Sequence, residues 1–273
     1  MRWSEGGGAA KAGGAEKTPR AGVGRRVAPL ALAAAVALWA RGSQATEPRK
    51  VFSPIVEEGE AELETVGTVE RDRNPARNGG QAYTFEAGYG VTSFWFAEFE
   101  GEFKSDPGDR LRHEASAWEN VLQVTPQGAY WLDLGLFAEF EIAARRGDAD
   151  EAIFGPILQK ELGDWLATAN LFLDKEVGAN AGGGAGLEYA AQLRYRWRRW
   201  LEPGIEAYGE PGELARFLPG EQQTHQLGPV ITGHLRLDGV PGRLKYELGY
   251  LFGLTAGTAQ GAVKWRLEYE FVF

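Results

Sequence analysis

Cysteine is absent from the 273 residues, which excludes disulfides, thiolate metal sites and a cysteine nucleophile. One methionine and three histidines leave too few soft ligands for copper handling, and no metal or organic cofactor is expected. Also missing is any run of about twenty apolar residues, the length that a helical membrane span requires. That lack does not keep the chain out of a membrane, because in a transmembrane strand only every second residue must face lipid. Charged residues make up 25% of the chain and the mean hydropathy is −0.32, values compatible with either setting. Basic charge is scarce as well. The formal net charge is −9, and residues 1–45 hold seven Lys/Arg against two Asp/Glu, so the remainder sets 22 basic against 36 acidic groups. So acidic a surface makes nucleic acid an unexpected partner.

The amino-terminal region reads as a leader. Arg25-Arg26 precedes an uncharged Ala/Leu-rich stretch, Val27 to Trp39, and then Ser43-Gln-Ala45. These are the charged, apolar and small-residue parts of a secretory signal, with cleavage expected after Ala45. Residues 1–24 are Gly/Ala-rich and unusual ahead of such a signal, and translation is expected to start near Val23. Three regions follow: 1–45 as extension and signal peptide, 46–58 as a periplasmic segment that could instead fold inward, and 59–273 as the folded domain.

Beyond residue 59 apolar and polar residues alternate with period two. In Val263–Phe273 the odd positions are Val, Trp, Leu, Tyr, Phe, Phe and the even ones Lys264, Arg266, Glu268, Glu270, Val272. Leu187–Arg198, Leu244–Phe252 and Trp95–Phe103 repeat the pattern. A helix would scatter these aromatics around all its sides. The spacing predicts strands over 60–70, 81–90, 94–104, 111–123, 130–141, 151–161, 165–177, 187–198, 202–210, 224–236, 243–252 and 262–273. Pro203 and Pro229 fall within two of them, positions that suit a bulge or an edge. Long polar linkers alternate with short connections, as when loops face outside and turns face the periplasm.

The expected fold is therefore all-β: one antiparallel up-and-down transmembrane barrel of about twelve strands. A soluble β-sandwich is the structural alternative. The leader and the aromatics expected near strand ends (Trp95, Trp165, Trp197, Trp265, Tyr250) favour lipid. The inward face should set a basic stripe, Arg194, Arg196, Arg198, Lys264 and Arg266, joined by Lys245, against an acidic wall, Glu98, Glu100, Glu102, Asp133, Glu139 and Glu141. With residues 199–201 as a turn, Arg194 would lie opposite Glu206 and Arg198 opposite Glu202. Such charges could orient a solute in a narrow channel or salt-bridge into a plug. A lipid-modifying enzyme is the third reading. The odd spacing of His113 and Ser116 puts them on opposite faces of a strand, so no catalytic set is expected.

The terminal run Trp265, Leu267, Tyr269, Phe271, Phe273 resembles the carboxy-terminal signature of bacterial outer-membrane β-barrel proteins. The resemblance implies recognition by the barrel-assembly machinery, residence in the outer membrane of a Gram-negative bacterium, and lipid and lipopolysaccharide as surroundings. Lys245-Tyr-Glu-Leu-Gly-Tyr-Leu-Phe-Gly253 and Phe85-Glu-Ala-Gly-Tyr-Gly90 resemble, more loosely, proteobacterial barrels of the phenol meta-pathway-associated type. The expectation is a monomer that lets small polar or amphipathic solutes pass, with a plugged structural or adhesive barrel as the alternative.

Overall fold

The computed structural model describes residues 48–272 apart from 237, 238 and 240; the expected leader and Phe273 lie outside the described residues. Twelve long strands close into an antiparallel barrel: β1 (Glu60–Arg71), β2 (Gln81–Thr92), β3 (Trp95–Ser105), β4 (Arg112–Gln123), β5 (Asp133–Ala143), β6 (Asp150–Leu162), β7 (Trp165–Val177), β8 (Gly186–Tyr195), β9 (Glu202–Glu213), β11 (Thr224–Leu235), β12 (Arg243–Gly253) and β13 (Gly261–Val272). A two-residue strand, β10 (Arg216–Phe217), pairs back on β9. Each long strand bonds its neighbour in sequence, and β13 returns to β1 along a ladder from Glu60↔Val272 to Arg71↔Gly261. Closure leaves no open sheet edge, as a sheet in hydrocarbon requires.

The alternation of the sequence becomes an inside and an outside. Glu60, Glu62, Glu64, Val66 and Thr68 of β1 are all enclosed, while Leu63 between them is 56% exposed. Phe85, Phe99, Phe140, Phe154, Leu171, Ile205, Leu248 and Leu267 are likewise exposed on the strands that follow. An apolar surface covering the whole circumference far exceeds the few hundred Å² that soluble monomers tolerate. Such a surface suits acyl chains as solvent better than water. A second aromatic set, Phe94, Tyr130, Trp131, Trp165, Trp197 and Trp200, gathers at the turns between strand pairs and is exposed too. Amphipathic rings there suit the lipid–water boundary.

Differences from the expected strands are local. β8 stops at Tyr195, because Arg196–Leu201 fold into a turn in which Arg198 and Leu201 bond each other's backbones. The register follows: Gln192, not Arg194, lies opposite Glu206, and Arg194 lies opposite Gly204. β9 runs on to Glu213, and the expected loop after it contains β10. Trp265 lies mid-strand over Gly67, where a Cβ would meet the indole ring. Pro229 is absorbed because the β11–β12 ladder has no bridge at Gly228 and Pro229.

Candidate functional site

The stretch preceding the barrel turns inward without regular secondary structure. Residues 49–56, within the segment expected to be periplasmic or inward-folded, touch the inner wall on several sides. The Phe52 amide donates to Asn170 Oδ1 at 2.8 Å, and Asn170 Nδ2 donates back to the Phe52 carbonyl at 3.0 Å. The Val56 amide donates to Gln123 Oε1 at 2.8 Å. Arg49 Nη1 reaches Glu210 at 2.7 Å on β9. The Phe52 ring packs on Phe137 at 4.3 Å and Phe172 at 5.8 Å between centroids, and Val56 belongs to the same buried cluster with Val121 and Ile157. Two inner-wall glycines give this segment room. A Cβ at Gly135 would stand 2.8 Å from Pro54 Cβ, and one at Gly90 would overlap the Glu57 carbonyl oxygen.

Lys50 is the charged centre. Its ammonium lies 3.3 Å from Glu64, 3.0 Å from Glu98 and 3.7 Å from Glu119, and it also contacts Glu86. These carboxylates come from β1, β3, β4 and β2, whose inward residues converge because the strands are neighbours in the ladder. Glu86, Glu100 and Glu119 form a tight carboxylate group, their ligand oxygens within 4.8 Å of one another. A second group, Glu60, Glu62, Glu268 and Glu270, is as tight, and it has wall cations beside it: Arg243 and Lys245 contact Glu270, and Arg266 lies 2.9 Å from Glu268. Further along β13 Lys264 is fully enclosed, with Nζ 2.7 Å from Glu206, 2.5 Å from Glu247 and donating to the Tyr208 hydroxyl at 2.8 Å. Gln192 Nε2 donates to both carboxylates, at 2.6 and 3.0 Å.

The structure thus divides the residues of the expected basic stripe. Lys264 and Arg266 face inward, the latter bonding Glu64 at 2.6 Å, and Arg194 lies 3.5 Å from Glu202. Arg196 and Arg198 do not line the lumen. Arg196 holds Glu161 at 2.8 Å and the Gly163 carbonyl at 2.7 Å, both at the neighbouring turn. Arg198 is exposed over the rings of Trp197 and Trp200. Even spacing assigned them to the inward face, but the strand ends before them.

The acidic wall is brought together more fully. Glu98, Glu100 and Glu102 point inward from β3, with Glu102 paired to Lys104 at 3.1 Å. Asp133 accepts from the Gly128 amide at 2.6 Å and so ties a turn. Glu139 and Glu141 share the inward parity of β5 with buried Phe137. Of the terminal signature, Trp265, Leu267, Tyr269 and Phe271 take the outward parity of β13, and Phe273 is outside the described residues.

Sequence reasoning did not single out Lys50, Phe52, Glu119 or Asn170. Glu119 sits in a strand whose two faces are equally mixed. The adjacent Arg49-Lys50, the first cations ahead of an acidic barrel, was the available signal for the inner segment.

One expectation about catalytic groups is reversed. A β-bulge between Glu102 and Phe103 opposite β4 shifts the parity, and His113 Nε2 comes 3.0 Å from Ser116 Oγ on the outer face. Among the described residues no carboxylate hydrogen-bonds His113, so the third group of a triad is not in place.

No protein-family model matches the chain, and no curated protein matches it. Among solved structures the chain is similar to one described as a bacterial polysaccharide outer membrane secretin, at 8% identity and a TM-score of 0.40, over 80% of this chain and 99% of that one. It is also similar to a Salmonella typhi OmpF complex with daunomycin, at 8% identity and a TM-score of 0.35, over 78% and 96%.

Proposed function

We propose that this chain is an outer-membrane β-barrel whose lumen is closed at rest by its own residues 49–56, and that small polar or amphipathic solutes pass when that segment swings aside. One observation carries the reading: the segment is anchored to opposite walls, Arg49 to β9, Lys50 to β1–β4 and Phe52 to β5 and β7. The anchors are few and side-chain mediated, whereas every wall strand is bonded along its length to two neighbours. The segment is therefore the part that can move. The apolar circumference supports insertion in lipid, and the proposal includes no enzymatic activity and a single chain as the working unit.

Planar-bilayer recordings test this reading. Wild-type protein should be mostly silent with brief openings, and the full-length Phe52→Ala/Asn170→Ala double variant should open far more often to the same unit conductance. Equal silence of the two would leave a permanently plugged structural barrel, and equal, continuous conduction would mean that the segment does not obstruct the lumen.

A further inference from the structure

Of the four carboxylates around Lys50, Glu64 also holds a wall cation, Arg266; the other three do not. Among the described residues, Lys50 is the only basic side chain within ion-pair distance of Glu86, Glu98 and Glu119. By contrast Glu60, Glu206, Glu247, Glu268 and Glu270 pair with Arg243, Lys245, Lys264 and Arg266, all fixed on strands. The wall is nonetheless closed in: the side chains of Glu86, Glu98 and Glu119 are 0%, 3% and 5% exposed. Within the group, Glu98 Oε1 and Glu119 Oε2 are buried with no hydrogen-bond donor. So compact a polyanion in an enclosed space demands a cation, and the one present is carried in on a segment that must leave for the barrel to open.

The segment also shows the shape of what would replace it. Lys50 Nζ stands 4.7 Å from the centroid of the Phe52 ring, the span of a short alkyl chain between an amine and a phenyl group. That ring packs against an aromatic pair, Phe137 and Phe172, themselves stacked 4.7 Å apart. Carboxylates and aromatic pair both belong to the wall and remain when the segment departs.

We propose that the β1–β4 carboxylate group and the adjoining Phe137–Phe172 pair form a binding site for an arylalkyl ammonium solute, which Lys50 and Phe52 occupy as a tethered surrogate. The inference rests on the movable-segment reading and adds to it the class of solute. Because solute and surrogate compete for one site, a solute that binds only the open form shifts the barrel toward opening. Bare metal cations would satisfy the charge but leave the aromatic pair uncovered.

The test uses the full chain folded in detergent, with phenethylamine as probe and 2-phenylethanol as its uncharged counterpart. Calorimetric titration of the Lys50→Met/Phe52→Ala variant should give an affinity at least roughly tenfold above wild type, since the competitor's hold is removed. Adding Glu98→Gln and Glu119→Gln should abolish that gain. In the wild-type protein, where no substitution can disturb folding, phenethylamine should accelerate tryptic cleavage after Arg49 and Lys50, and 2-phenylethanol should not. Equal affinity of wild type and variant, equal binding of the alcohol, full competition by millimolar magnesium, or cleavage indifferent to the amine would each overturn the proposal. Calorimetry and proteolysis do not depend on conduction. Binding without conductance would therefore remove the channel reading alone, and conductance without binding would remove the solute assignment alone.

Discussion

Lys264 and Arg196 were legible as the same kind of residue, a cation on the charged side of an alternating strand, yet the fold gives them opposite weights. Lys264 is enclosed among Glu206, Glu247 and Tyr208. Its replacement by methionine leaves two carboxylates facing each other without a counter-ion, a situation that costs about 3–5 kcal/mol. Arg196 lies with Glu161 at a solvated turn, and such pairs are worth about 0–1 kcal/mol. Urea unfolding in micelles should therefore show a large loss for Lys264→Met and almost none for Arg196→Ala; similar losses would mean that the enclosed network is better hydrated than its distances imply. Asn170 is informative in another way. Its side chain both accepts from and donates to the Phe52 backbone, so Asn170→Leu should loosen the inner segment while sparing the barrel. The expected sign is faster tryptic cleavage at Arg49 and Lys50 with an unchanged urea midpoint. No acceleration would place the hold on the segment elsewhere.

Among the elements, the strands were largely readable because period two is imposed by the backbone itself, and successive side chains cannot avoid opposite faces. Where the reading slipped, a local backbone event intervened that composition does not announce. The turn at Arg196–Leu201 ends β8 early, and the bulge opposite Glu102 carries His113 to the face of Ser116. A one-residue irregularity reverses every parity argument beyond it. The inner segment was legible in neither its course nor its contacts, because it has no period: its side chains answer to several walls in turn. Gly135 is its clearest trace on the barrel. A β-branched residue there would meet Pro54 and the Leu122 carbonyl, with even the Cβ 2.8 and 3.3 Å away. Since β5 is bonded on both sides and the segment at few points, the segment should yield. Gly135→Val is expected to raise open probability in bilayers; a variant that stays as silent as wild type would show that the strand gave way instead.

For the molecule as a whole, the deciding quantity is the medium outside the barrel. The exposed band includes Phe99 at 59% and Leu248 at 56%, and neither has a protein layer beyond it. Tryptophans on this surface, Trp118 and Trp165 among them, should be strongly quenched by brominated acyl chains in reconstituted vesicles and hardly at all by aqueous iodide. The reverse result, or solubility without detergent, would remove the membrane assignment and every functional argument built on a lumen. The whole-molecule charge also has a consequence. With the segment displaced, Glu86, Glu98 and Glu119 face the open lumen without Lys50, so currents through the Phe52→Ala/Asn170→Ala variant should favour potassium over chloride, and reversal potentials in a salt gradient would report it. Anion preference would place the conducting path away from this wall.

Alternation along each stretch was enough to determine the all-β class, a count of about twelve long strands and the separation of an apolar from a charged face, because these follow from backbone geometry acting on neighbouring residues. Which charges meet was decided only when the sheet curled. Curvature brings Lys264 of β13 to Glu206 of β9, three strands along the sheet, and gathers four neighbouring strands' carboxylates around Lys50 of the inner segment, and no spacing along the chain encodes such a meeting.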